Sequence, residues 1–116
     1  MKPYKGIDLI NGYELKDLPK ADCYVIGNAL SRGNPLVEEI LKRNDKFISG
    51  PEWILQNILT EKKVIAVSGT HGKTTTTSMI AWILEDLGFK PGYLIAGKPK
   101  NFDASSSLGS GDIFVI

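Results

Sequence analysis

The stretch AVSGTHGKTTTTSMIAWILEDLG, residues 66–88, decides how the rest of the chain is read. An apolar run, Val64-Ile65-Ala66-Val67, leads into a glycine turn, and a helix with a hydroxyl-rich start follows. Uninterrupted apolar runs of this length are typical of parallel strands buried on both faces. The general phosphate-loop pattern, G-x-x-x-x-G-K-[ST], opens on a glycine; here that position is Val67. The remaining letters and the strand–turn–helix context still match. Glycines allow a tight turn that brings amides toward one anion, and a helix N-terminus adds unpaired N–H groups and partial positive charge. Threonine is a poor helix former, so Thr74 to Thr77 in succession is an unfavourable way to begin a helix. Lys73 at the same end opposes the helix dipole unless an anion sits there. Both features favour a phosphate site over a simple turn.

Outward from that centre, Met79, Ile80, Ile83, Leu84 and Leu87 are expected on the inner side of the helix, which Gly88 stops. Tyr93-Leu94-Ile95-Ala96 reads as the next strand, residues 97–111 as loop, and Asp112 to Ile116 as an apolar, central strand. Upstream, residues 7–10 are expected as a short strand. Residues 22–26 form a better one, closed by Gly27-Asn28. Asn34 is the expected N-cap of a helix with Pro35 at its first position and Leu36, Ile40 and Leu41 on its inner face, ending near Arg43-Asn44. Phe47-Ile48 reads as a strand. Ser49-Gly50-Pro51-Glu52 starts a helix with Trp53, Ile54, Ile58 and Leu59 inside. Strands alternating with helices predict an α/β fold with parallel strands. A final strand that reads as central suggests a chain cut from something longer.

The 116 residues fit one small domain or parts of two, with 42% apolar and 23% charged residues. The net charge is +1, from 14 basic and 13 acidic side chains spread along the chain. That argues against bulk attraction to nucleic acid or an anionic membrane and leaves a local phosphate site open. No apolar run reaches membrane-spanning length. The single cysteine, Cys23, excludes an intrachain disulfide, suits a reducing cytoplasm, and is expected as a small buried hydrophobe.

Gly69-Thr70-His71-Gly72-Lys73-Thr74-Thr75-Thr76 resembles the ATP loop of the Mur ligases, whose Gly-Thr-x-Gly-Lys-Thr/Ser form lacks the leading glycine and so accounts for Val67. The segments from Val25 to Pro35, from Ser49 to Ile54 and from Ala81 to Glu85 resemble the branch of that family that joins recycled murein tripeptide, L-Ala-γ-D-Glu-meso-diaminopimelate, to UDP-N-acetylmuramate. The similarity covers nearly the whole chain. It implies a parallel-sheet, Rossmann-like portion over 1–60, the later part of a UDP-sugar-binding domain. Residues 61–116 would be the first part of a P-loop ATP-binding central domain. ATP and Mg2+ are the implied cofactors. ATP would phosphorylate the muramyl carboxylate, and the tripeptide amine would attack the acyl phosphate to form the amide. Gly69, Thr70, His71, Gly72, Lys73, Thr74 and Thr75 would bind the cofactor, with Lys73 as the catalytic candidate and Thr74 as the metal ligand. Ser31, Arg32, Asn34 and Asn101 would face the sugar substrate. Simpler roles stand beside these: His71 as an exposed loop residue, Asn34 as a helix cap, Arg32 as a solvated charge, Asn101 as a turn residue. The family's glycine-rich opening, its acidic Glu-Ala-Asp-Glu-type segment and its peptide-binding domain have no counterpart in these residues. The chain alone is therefore expected not to catalyse ligation. The alternatives are the alanine-adding branch, the related folylpolyglutamate synthetases, and a nucleotide-binding piece inactive by itself.

Overall fold

A computed structural model describes residues 6–97, 99 and 102–116. Asn101 lies outside the described residues. The chain divides into two units, Met1–Trp53 and Ile54–Ile116.

In the first unit, strand β1 (Tyr24–Ile26) pairs in parallel with β2 (Phe47–Ser49), in the register Tyr24–Phe47, Val25–Ile48 and Ile26–Ser49. Helix α1 (Pro35–Lys42) connects them. Its start follows from local chemistry: the Asn34 side-chain oxygen accepts the Leu36 N–H at 3.0 Å, and Pro35 takes a position whose N–H has no helical partner. Val37 and Ile40 are buried on α1, so Val37 takes the place expected of Leu36. The chain leaves the helix through Asn44, at φ 55°. Two expectations fail. Residues 7–10 form no strand, and Ile7, Leu9 and Ile10 are exposed, because no described segment pairs with their backbone. Cys23 is half-buried, just ahead of β1, rather than in a core.

Helix α2 (Gly50–Ile54) continues directly into a π-helical turn at Leu55–Leu59. Ser49 supports its start by accepting the Glu52 N–H at 3.3 Å. Ile54, Ile58 and Leu59 are half-buried, whereas Trp53, expected among them, is exposed.

The second unit carries a four-stranded sheet in the order β3 (Lys63–Ile65), β6 (Ile113–Val115), β4 (Gly92–Leu94), β5 (Ser106–Ser107). The first three run parallel, with helix α3 (Lys73–Asp86) between β3 and β4. The last strand is central, as its apolar run predicts, and Val115 is fully buried. Three expectations need correction. β3 is an edge strand, paired among the described residues on one side only, and Val64 and Ile65 remain 42% and 36% exposed. The stretch 97–111 is not all loop, since Ser106–Ser107 pairs antiparallel with β4. On α3, Ile80 and Leu84 do pack on the core formed by Ala81, Tyr93, Ile95 and Val115, but Met79, Ile83 and Leu87 are exposed.

The buried stripe of α3 is made instead of Thr77, Ser78 and Ala81. Ala81 has no bulk to hold the sheet away. The two hydroxyls are buried at little cost because they donate to the Lys73 and Thr74 carbonyls, each at 2.7 Å. Gly88 ends the helix at φ 84°. No described helix is long and apolar enough to cross a membrane.

Candidate functional site

After β3 the chain stays tied to the sheet until the Val67 N–H donates to the Ile116 carbonyl at 2.7 Å. It then turns through Gly69, at φ 153°, and reaches Gly72, at φ 79° in the left-handed region, immediately before α3. A side chain at Gly72 would be strained in that conformation. Glycine at the cap also means that no side chain satisfies the first amides of α3, and its first turn carries no acidic residue. The helix therefore offers free N–H groups and positive potential at one point.

Lys73 adds a full charge there. Its Nζ bends back over the turn and donates to the carbonyls of Gly69 at 2.5 Å and Thr70 at 3.5 Å. Thr74 Oγ1 donates to the Ala96 carbonyl at 2.7 Å, two residues beyond β4. Lys73 and Thr74 line a cleft of about 380 Å³ with Val67, Thr77, Ile95 and Ala96. The fold thus brings Gly69, Thr70, Lys73 and Thr74 together. His71 and Thr75 are exposed and do not line the cleft. Two participants were not foreseen. Thr77 is hidden in the threonine run, and Ala96 contributes a main-chain carbonyl that no side-chain pattern can announce.

The candidates Ser31, Arg32 and Asn34 lie in the first unit. A cavity of about 570 Å³ opens beyond the C-terminal end of β1, lined by Gly27, Asn28, Ser31, Arg32, Val37 and Ile48 among others. Crevices at the carboxyl ends of parallel strands are the usual ligand positions in open α/β sheets. Ser31 and Arg32 line it; Asn34 does not, because its side chain caps α1. Arg32 is engaged by Glu38 through Nε at 2.7 Å and Nη2 at 3.3 Å, and the same carboxylate accepts the Gly33 N–H at 2.9 Å. Glu38, also not foreseen, thus fixes the loop 31–33 against α1.

The Arg32 hydrogen bond, followed by that of Gly33, holds the Glu38 carboxyl below its ordinary 4.5, and Glu38 in turn raises Arg32. A depressed carboxylate stabilises the fold above its unfolded value and loses that contribution as pH falls through the folded value. The link should therefore be complete above pH 4.5 and release below it. An NMR titration should show the Gly33 amide resonance moving with the Glu38 carboxyl in that acidic range. A Gly33 amide that ignores Glu38 protonation would refute the link.

With this geometry in view, the relatives are informative. The family model described as Mur ligase middle domain matches residues 67–109. The UDP-N-acetylmuramate–L-alanyl-gamma-D-glutamyl-meso-2,6-diaminoheptandioate ligase of Escherichia coli is 51% identical over 97% of this chain and 25% of its own length. The UDP-N-acetylmuramate–L-alanine ligase of Aquifex aeolicus is 39% identical over 96% of this chain and 24% of its own. The crystal structure of the UDP-N-acetylmuramate:L-alanyl-gamma-D-glutamyl-meso-diaminopimelate ligase from Neisseria meningitides superposes with a TM-score of 0.79 at 47% identity, covering 82% of this chain and 32% of that one. The chain spans about a quarter of the length of the curated relatives it matches. The glycine turn, the strand–helix–strand unit behind it and these likenesses agree: the chain belongs to the Mur ligase family.

Proposed function

We propose that this chain is the nucleotide-binding segment of an ATP-dependent ligase that forms an amide bond between UDP-N-acetylmuramate and the murein tripeptide L-Ala-γ-D-Glu-meso-diaminopimelate. One observation carries the reading: a left-handed glycine turn sets the uncapped N-terminus of α3, Lys73 and the Thr74 hydroxyl around one cleft. The chemistry of these donors fits a nucleotide phosphate with its magnesium ion. Amides and an ammonium supply donors and positive charge for the anion, and the hydroxyl of Thr74 keeps lone pairs for the cation.

Bound ATP would supply the phosphoryl group that activates a carboxylate. The chain's own part is to hold and orient. The α3 amides would grip the phosphates. Lys73 would exchange the Gly69 and Thr70 carbonyls for phosphate oxygens. Residues 61–116 would open the ATP-binding domain, while residues 1–60, with Ser31 and Arg32 at the first unit's cavity, would complete a UDP-sugar-binding domain. Asn101 is assigned to the sugar side by resemblance only, as are His71 and Thr75 to the nucleotide. A cytoplasmic setting follows from such substrates.

The tripeptide is preferred to alanine as acceptor because the tripeptide ligase of Escherichia coli is the more similar relative. The test is an assay of the full-length protein carrying this segment, with ATP, UDP-N-acetylmuramate and either tripeptide or alanine. ADP release should accompany tripeptide addition. Turnover with alanine alone would assign the protein to the other branch. The purified 116-residue chain should show none.

A further inference from the structure

Thr74 is the one hydroxyl at the start of α3 seen to reach out of the helix: Thr77 and Ser78 bond back to Lys73 and Thr74 within it, whereas Thr74 donates across to Ala96 at 2.7 Å. A hydroxyl has one proton and two lone pairs, and a carbonyl oxygen can only accept. The Thr74 proton is therefore committed to Ala96, and both lone pairs are turned away from it. A hydroxyl free of that contact could spend its proton on any nearby acceptor, a phosphate oxygen included, and its lone pairs would have no set direction.

The segment that holds the carbonyl is itself placed. The Ile95 N–H donates to the Ser105 carbonyl at 2.8 Å. Gly97 then turns the chain at φ 103°, and a Cβ there would lie 3.7 Å from the Thr74 methyl. The space would admit the methyl group; the backbone angle would resist it.

We propose that the Ala96 carbonyl is a positioning group for the divalent cation, acting through Thr74, and that Gly97 is the residue that allows the carbonyl to sit there. The inference rests on the nucleotide reading above and adds the turn that follows β4 to that site.

The test measures ATP affinity of the 116-residue chain with excess chelator and with Mg2+, and takes the ratio. Gly97→Ala should lower the Mg2+ enhancement about tenfold through backbone strain, with Mg2+-free affinity held within about twofold. Thr74→Val should remove the enhancement and Thr74→Ser should keep it. In the Thr74→Val background Gly97→Ala should add nothing, since both changes act through one hydroxyl. A second readout leaves Gly97 untouched. The Ala96 carbonyl carbon resonance should shift when Mg2+ joins ATP in the wild type and stay still in Thr74→Val.

An enhancement that survives Gly97→Ala, effects that add, or an Ala96 resonance blind to Mg2+ would each overturn the inference while leaving the nucleotide reading intact. A wild type with no Mg2+-dependent ATP binding would overturn that reading and the inference together.

Discussion

Lys73→Ala should weaken binding of Mg2+–ATP by about 10- to 100-fold, the equivalent of losing hydrogen bonds from a charged donor. Titration calorimetry of wild type and variant measures it directly. The loss should not come from unfolding. The Lys73 side chain is exposed, and its ammonium hydrogen-bonds to carbonyls of its own turn, at Gly69 and Thr70. Removing a cation from a helix N-terminus also relieves an unfavourable interaction with the helix dipole. Stability should therefore stay within about 0.5 kcal/mol of wild type. The binding loss has a second part in the free state: the wild-type ammonium must leave two carbonyls before it reaches a phosphate, so the measured difference understates the direct contact. Equal affinity in the two proteins would remove Lys73 from the site and leave the glycine turn a structural element.

The largest effect on stability is expected elsewhere, at Gly109→Ala. Residues 108–111 lie directly on 89–92, backbone against backbone. A Cβ at Gly109 would run into the Gly92 nitrogen and the Pro91 carbonyl, and Gly109 sits at φ 65°. Pro91 is fully buried and Gly92 begins β4, so neither can step aside by rotating a side chain. Steric overlap and left-handed strain should together cost about 2–4 kcal/mol. The melting temperature should fall by roughly 10 °C for a chain of this size, measured by circular dichroism or calorimetry. Ser110→Ala, one residue on and exposed, should stay within about 0.5 kcal/mol. A Gly109→Ala protein that melts with the wild type would mean that this seam opens without penalty.

The α/β class, the parallel strands, the cap at Asn34 and the glycine turn at Gly69–Thr74 that opens a helix were legible because each depends on neighbouring residues. Proline and asparagine select a helix start through their own atoms; a glycine before a lysine and a run of hydroxyls implies an anion through helix-end chemistry. Residues 7–10 and Ser106–Ser107 were misread for the converse reason. Strand formation needs a partner, and the letters do not say who pairs with whom.

The inner face of α3 was not legible because side-chain type alone does not say which apolar residues meet the sheet. Met79, Ile83 and Leu87 are as hydrophobic as Ile80 and Leu84, yet only the latter pair packs on the core. The sheet accepts the stripe that lets the helix come close, and Ala81 beside two back-bonded hydroxyls does that better than bulk. The same holds at the site. Sequence by itself determined which residues carry charge and hydroxyls, and that they open a helix. Only the tertiary structure decided that Glu38 would hold Arg32 and that the Ala96 carbonyl would take the Thr74 proton. Those contacts join residues through space and rest partly on backbone atoms, which every sequence supplies alike and only folding can place.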